Sequence, residues 1–218
     1  DSLLAARKHF SFAVQYKKTG EYGDALLQYE KSIAFNDTVW QVHYSFAELL
    51  MLMKRPDRAR GEYLRTLALF TGHRPSAEIV LGMYLAASAY DSALAVYDIM
   101  LGTAPNDSLL ADAVRLREHL GRNDAALVGL RELIARKFPD PGMPLRAADL
   151  AMKSGDAKSA VSFAEQALEA NPKNPVALRT AVRAATLAGD HGLAARALEA
   201  LASADPTNTV ILTELAGV

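Results

Sequence analysis

The chain has 218 residues, of which half are hydrophobic, 7% are aromatic and none is cysteine, and its formal net charge at pH 7 is −1. A near-neutral charge gives no electrostatic footprint for nucleic acid, which usually shows as a basic domain. The absence of cysteine excludes structural disulfides and thiolate metal sites, and no apolar run approaches the roughly 20 residues that a membrane-spanning helix needs. We therefore expect no nucleic-acid partner and no direct membrane insertion.

The chain repeats itself with a period of about 34 residues, and one alanine marks each repeat. These six alanines, which lie 34, 34, 33, 34 and 34 residues apart, are Ala25, Ala59, Ala93, Ala126, Ala160 and Ala194. Each of them follows a turn and opens an apolar stretch with helical spacing. A fixed period of this length indicates a stacked array of helix pairs that bury their faces against their neighbours.

In chain order, each repeat is predicted to consist of two antiparallel helices of about three turns, joined by a short turn. The predicted repeats are 6–39, 40–73, 74–106, 107–140, 141–174 and 175–208, and 209–218 is predicted to be a partial or capping helix. Glycine marks the turn inside four repeats, at Gly20, Gly121, Gly155 and Gly189, where a helix commonly ends in a left-handed residue. We expect residues 1–218 to form a single domain.

The step of 33 residues before Ala126 predicts one irregular joint in the array. The apolar spacing places the core faces of the two helices of the fourth repeat at Leu109, Ala113, Leu116 and Leu120, and at Ala126, Leu130 and Leu133. These two faces do not share one repeat register. We therefore expect a one-residue irregularity in the turn of the fourth repeat.

The repeats resemble the tetratricopeptide repeat (TPR), a helix-turn-helix unit of the same length. The family pattern of small, aromatic, glycine, alanine and aromatic residues is matched in the first repeat by Ala13, Tyr16, Gly20, Ala25 and Tyr29. The last three repeats depart from it, because Leu130, Ala164 and Leu198 stand where tyrosine is usual. The resemblance implies an all-α fold, a right-handed α-solenoid of about six TPR repeats with a partial C-terminal repeat helix. The alanine-rich, cysteine-free composition is similar to that of bacterial members.

In the TPR family, the first helix of each repeat lines a concave groove that binds partners. Carried over by position, the resemblance implies a groove lined by Phe10, Val14, Tyr44, Glu48, Met51, Ile79, Arg115, Arg146, Asp149, Arg179 and Arg183. Its N-terminal part is mostly apolar and includes an adaptable methionine, and its C-terminal part is basic, with arginines suited to binding carboxylates. We expect a peptide that is apolar at one end and acidic at the other. Inter-helix packing and a solvated arginine face are the alternatives.

Motifs for enzymatic chemistry and cofactor binding do not occur in the sequence: there is no P-loop, dinucleotide-binding turn, nucleophile elbow or metal-binding HExxH helix. The five histidines are scattered, and His9 and His43, at equivalent positions of adjacent repeats, favour helix packing over a metal site. Asp112 and Asp149 are the candidates for a general acid/base pair, but pairing with Arg115 and Arg146 is favoured. We expect no cofactor, no metal and no catalytic activity.

The resemblance implies a non-enzymatic scaffold that binds a protein or peptide partner, and the assembly of bacterial cell-envelope or secretion complexes is the setting it suggests. Two alternatives stay open: a structural subunit buried permanently in a complex, and the regulatory TPR portion of a multidomain enzyme. The chain opens at Asp1 and ends in an apolar segment, 209–218. We therefore expect a fragment or a trimmed mature chain, in which the terminal repeats are available for oligomerisation. The sequence does not distinguish the periplasmic side of the envelope from the cytoplasm.

Overall fold

The structure is a computed structural model that describes residues 2–217, and these residues form thirteen α-helices and no β-strand. Consecutive helices pack into six pairs, and one further helix follows the last pair. The predicted all-α fold of six helix-turn-helix repeats and a partial C-terminal repeat is therefore confirmed. None of the helices in this described range has the length and hydrophobicity to cross a membrane.

The chain divides into two compact units, Asp1–Asn106 and Asp107–Val218. The first unit contains three helix pairs, and α1 also contacts α3. Its helices are α1 (Ser2–Thr19), α2 (Tyr22–Phe35), α3 (Trp40–Leu52), α4 (Pro56–Leu69), α5 (Arg74–Ala86) and α6 (Tyr90–Thr103). The expectation of a single domain over 1–218 stays a prediction.

The second unit contains the other three pairs and the terminal helix. Its helices are α7 (Asp107–His119), α8 (Asn123–Ala135), α9 (Met143–Lys153), α10 (Ala157–Ala170), α11 (Pro175–Ala188), α12 (His191–Ala204) and α13 (Thr209–Ala216). Neighbouring pairs meet through α8 with α9 and α10 with α11, α9 also contacts α11, and α13 packs on α12.

The repeating alanine is a core residue in every repeat. None of the six is more than 3% exposed, and each lies three residues after the first residue of the second helix of its pair. A single methyl group at this position lets neighbouring helices approach closely, and a larger side chain would overpack the site. The period of the sequence is thus the period of the closest helix packing.

The turn inside each pair ends in a left-handed residue. The predicted glycines adopt positive φ angles of 83° at Gly20, 68° at Gly121, 74° at Gly155 and 72° at Gly189. In the second and third repeats, Lys54 and Ser88 adopt the same conformation, with φ angles of 58° and 54°. The turn geometry is therefore kept where glycine is absent, at some cost in backbone strain.

The fourth repeat differs from its prediction. Its turn, Leu120–Arg122, has three residues, as the turns of the second and third repeats do, so the predicted irregularity of the turn is wrong. The residue lost from the period lies instead in the connection from α6 to α7, which has three residues where the connections before α3 and α5 have four.

The core face of α7 also differs from the prediction. Ala113, Leu116 and the predicted residues of α8 are buried, but Leu109 and Leu120 are only half-buried. Leu110 and Val114 take the core positions, at 8% and 0% exposure. A Cβ atom at Gly129 of α8 would overlap the Cγ2 methyl of Val114, so α7 approaches α8 over a glycine. This close approach rotates the apolar face of α7 relative to the one that spacing predicts.

Candidate functional site

A cleft of about 1030 Å³ opens in the second unit, where the last three helices and the end of α9 meet. Leu198 and Leu201 of α12 lie at its base and are buried. The other lining residues come from α9, α11, α13 and the two ends of α13: Met152, Arg179, Val182, Arg183, Thr186, Leu187, Asn208, Val210, Ile211, Glu214 and Gly217. Two of the predicted site residues, Arg179 and Arg183, lie here.

Side-chain caps fix the helices that form this cleft. The Asn174 carboxamide oxygen accepts a hydrogen bond from the Val176 amide at 2.9 Å and begins α11, and the Asp190 carboxylate accepts one from the Leu193 amide at 2.9 Å and begins α12. Asn208 caps α13 in the same way, accepting from the Ile211 amide at 3.3 Å. Each cap satisfies an amide that the first turn of a helix leaves unpaired. The walls of the cleft are therefore set by local sequence signals.

The packed side of α11 consists almost entirely of small residues. Ala177, Ala181, Ala184 and Ala185 are all buried, and the larger residues of the helix are left outside this packed side. Leu187 is 49% exposed and, across the cleft, Val210 of α13 is 64% exposed. An exposed apolar surface with polar residues at its rim is typical of an interaction site. The cleft thus offers apolar walls that no part of the described chain covers.

The charged groups of the cleft are only partly paired. The Arg183 Nη1 donates to Asp149 Oδ1 at 3.2 Å, and both side chains are exposed, at 64% and 45%. An exposed pair of this kind contributes little to stability and exchanges partners at small cost. Among residues 2–217, neither Arg179 nor Glu214 of the opposite wall makes an ion pair. Arg179 is therefore an available cation beside apolar walls.

The other two predicted arginines are engaged elsewhere. Arg146 donates through Nη2 and Nε to the two oxygens of Glu118, at 2.6 and 3.1 Å, and through Nη1 to Asp140 at 3.2 Å. This bidentate clamp ties α9 to the end of α7. Arg115 donates to Asp112 of its own helix at 2.8 Å. These contacts leave the cleft residues Arg179 and Arg183 as the basic part of the predicted groove.

The candidate acid/base pair, Asp112 and Asp149, is held by arginines. Asp112 is bound by Arg115, as favoured from the sequence, and Asp149 is bound by Arg183, where Arg146 was expected. The two carboxylates each have a cationic partner, which favours their ionised form and leaves no shared proton. The arrangement favours the ion-paired interpretation over a catalytic one.

In the first unit, the predicted apolar stretch has an ion pair between its helices. Lys17 of α1 donates to Glu48 Oε2 at 2.8 Å and to Ser45 Oγ at 3.1 Å, both on α3. The Lys17 side chain is only 18% exposed. The hydroxyl groups of Tyr29 and Ser45 are 2.5 Å apart and extend this polar network into the core. The predicted site residue Glu48 is therefore a partner of Lys17 within the fold.

The aromatic site residues of the first unit are half-buried by other rings. Phe10 lies 6.1 Å from Tyr29, and Tyr44 lies 5.9 Å from Tyr63 and 4.7 Å from His73 (ring centroids). Burial, with smaller effects from Glu48 and Tyr44, raises the pKa of Tyr63 to about 12. Val14 and Ile79 are half-buried as well, and Met51 is exposed. This surface is more strongly packed and more polar than the sequence predicts.

The histidines at equivalent positions contact side chains of their own repeats. The Nδ1 atom of His9 lies 2.6 Å from Gln28 Oε1, and that of His43 lies 2.6 Å from Glu62 Oε2, in each case across 19 residues. Both contacts join the first helix of a pair to the second. Within residues 2–217, no three histidine, aspartate or glutamate side chains come together as a metal site.

A family model for the tetratricopeptide repeat matches residues 151–212, from the end of α9 to the start of α13. The chain contains tetratricopeptide repeats. The predicted family is thereby confirmed, and the matched segment is the one that forms the cleft. None of the curated proteins is a significant sequence match to this chain.

Solved TPR structures share the fold at low sequence identity. YrrB, described as a TPR protein with an unusual peptide-binding site, is 18% identical, with a TM-score of 0.53 over 85% of this chain and 96% of YrrB. The Naa15/Naa10 structure bound to HypK-THB matches with a TM-score of 0.58 and 13% identity, over 97% of this chain and 33% of the matched chain. Likeness at these identities establishes the TPR fold.

Several residues of the cleft were not predicted from the sequence: Leu198, Leu201, Val210, Ile211 and Glu214. The signal that could have found the last three is a run of apolar residues, Val210–Leu212, directly after the cap residue Asn208. Such a run after a cap predicts another first helix, and the first helices line the binding surface of a TPR array. The base residues lie on a second helix, where groove positions are not expected.

Proposed function

We propose that this protein is a non-enzymatic scaffold that binds a segment of a partner protein in the cleft formed by α11, α12 and α13. The observation that carries the proposal is an open apolar cleft with an unpaired arginine, Arg179, at its wall. A volume of about 1030 Å³ is at the upper end of what ligand sites offer and accommodates several side chains of a peptide. Assembly of a bacterial cell-envelope or secretion complex is part of the same proposal, because a scaffold acts by holding partner proteins together.

The chemistry of the cleft favours an apolar segment that carries an acidic side chain. The apolar groups would lie against Leu187 and Val210, and a partner carboxylate would take the free guanidinium of Arg179. Arg183 can join this contact, because its pair with Asp149 is exposed and therefore weak. Arginine binds carboxylates through two parallel hydrogen bonds, which orients the bound segment as well as holding it.

Reversal of the charge at Arg179 tests this proposal. Peptides selected from a display library against the wild-type chain are expected to combine apolar residues with an acidic one. The affinity of these peptides, measured by fluorescence anisotropy, should fall roughly tenfold or more in Arg179→Glu, because a charge-assisted contact is lost and a repulsion replaces it.

The matched control is Arg196→Glu, which makes the same charge change at an exposed arginine of α12 outside the cleft. This variant should bind the peptides as tightly as the wild type. Equal losses in the two variants would mean that only the net charge matters and would contradict the proposed site. Failure to select any peptide would instead support the alternative of a permanently assembled structural subunit.

A further inference from the structure

His43 of α3 is a buried histidine whose two ring nitrogens both face hydrogen-bond acceptors. It is 3% exposed. Its Nε2 lies 2.9 Å from the main-chain oxygen of Asp37, and its Nδ1 lies 2.6 Å from Glu62 Oε2. A carbonyl oxygen and an ionised carboxylate can only accept, and a neutral imidazole has a single N–H to give. Only the imidazolium form donates to both at once.

The charged groups around the ring come from two elements. Glu62 and Arg65 belong to α4, and Asp37 lies in the connection between α2 and α3. Arg65 opposes a positive charge on the ring, but its guanidinium is itself bound to the Asp37 carboxylate at 2.8 Å. Burial lowers the pKa of His43, and the hydrogen bonds to Glu62 and to the Asp37 carbonyl outweigh burial, so that the pKa lies above its ordinary value.

We propose that His43 is a pH-sensitive latch, which as an imidazolium ties the connection between α2 and α3 to α4 and which releases one of its two contacts when the proton is lost. The first helix pair of the chain is thereby held to the second through a charge that depends on pH. The latch is independent of the cleft in the second unit and of any partner.

The first repeat contains the uncharged counterpart of this contact. His9 and Gln28 stand at the same separation and distance, 19 residues and 2.6 Å, as His43 and Glu62. A carboxamide offers both an acceptor oxygen and a donor nitrogen, so it pairs with a neutral imidazole as well as with a charged one. The exchange of Gln28 for Glu62 between repeats is what makes the second contact depend on charge.

The sign of the pH dependence follows from the direction of the pKa shift. A raised pKa in the folded chain means that the contribution of His43 to stability is complete below the ordinary histidine pKa of about 6.5 and is lost as pH rises through the folded value. His73 acts in the opposite sense, because burial lowers its pKa and its Nδ1 accepts from the Ser76 amide at 3.4 Å. The test therefore compares variants at the His43 pair, in which His73 is constant.

Glu62→Gln converts the second repeat to the pair found in the first. Between about pH 5.5 and about pH 8.5, the urea midpoint of the wild-type chain should fall relative to that of Glu62→Gln, and Gln28→Glu, which installs a second carboxylate, should enlarge the fall. Parallel midpoints of the wild type and Glu62→Gln at all pH values would overturn the proposal. Should Glu62→Gln fail to fold, ¹⁵N NMR of the wild-type chain decides: two protonated ring nitrogens on His43 at neutral pH support the latch, and a neutral ring refutes it.

Discussion

Replacing Gly129 with alanine should lower the free energy of unfolding by about 1–3 kcal/mol, although alanine is the better helix former. The added Cβ would overlap the Cγ2 methyl of Val114 and would lie 3.6 Å from Leu110 Cδ1. Val114 is fully buried and branched at Cβ, so its side chain cannot rotate away without displacing α7. The loss should be visible as a lower urea midpoint, followed by circular dichroism.

Gly61→Ala is the control for this change, because Gly61 also lies inside a helix, α4, and a Cβ there meets nothing within 4 Å. This variant should gain about 0.5–1 kcal/mol from the lower conformational entropy of the unfolded chain. The two glycine-to-alanine changes are thus expected to have opposite signs. If Gly129→Ala is stabilising as well, the close approach of α7 and α8 is wrong.

The second large effect is expected from Ala93→Leu. Ala93 is fully buried in α6 and is one of the six alanines that mark the repeats. Three additional carbon atoms have to displace a neighbouring helix, and in a stacked array such a displacement weakens the contact with the next pair too. We expect a loss of about 1–3 kcal/mol, measured as a decrease in the urea midpoint.

Ala95→Leu makes the same substitution on the same helix, at a residue that is exposed. Its effect should lie within about 0.5 kcal/mol of zero, because a surface change away from packed features costs little. The difference between the two variants isolates packing from helix propensity. Similar midpoints for Ala93→Leu and the wild type would contradict the role given to the repeating alanines.

Much of the fold could be predicted because its closest packing recurs along the sequence. The positions that must be small, such as Ala25 and Ala160, recur at the repeat period and lie at 0% exposure. The turn glycines, such as Gly121, carry a backbone requirement that few other residues meet. Helix pairs, turns and their order follow from these two signals, since both depend on local geometry.

The fourth repeat could not be predicted to the residue, because its packing depends on a contact between helices. The separation of 19 residues that joins His43 to Glu62 also joins Leu110 to Gly129. A large residue on one helix is accommodated there by glycine on the other, and this compensation shifts which residues of α7 face the core. Apolar spacing within α7 alone contains no information about Gly129.

The candidate site was predicted in part for a similar reason. Arg179 and Arg183 lie where the TPR resemblance places groove residues, and both line the cleft. Arg146 was assigned to the same groove, but Glu118, 28 residues away, binds it in a bidentate contact. Which arginine stays available depends on acidic residues brought near by folding, and their distances are not written in the sequence. The predicted groove residues as a set stay a prediction.

The most direct test of the proposed cleft is photo-crosslinking of a selected peptide at Val210. Val210 lines the cleft and is 64% exposed, and Val128 of α8 is equally exposed, at 64%, in the same unit but outside the cleft. Benzoylphenylalanine in place of Val210 should crosslink the bound peptide, and the same group in place of Val128 should not. Crosslinking at position 128 as strong as at position 210, or none at 210 while the peptide is bound, would contradict the proposal that the partner binds between α11 and α13.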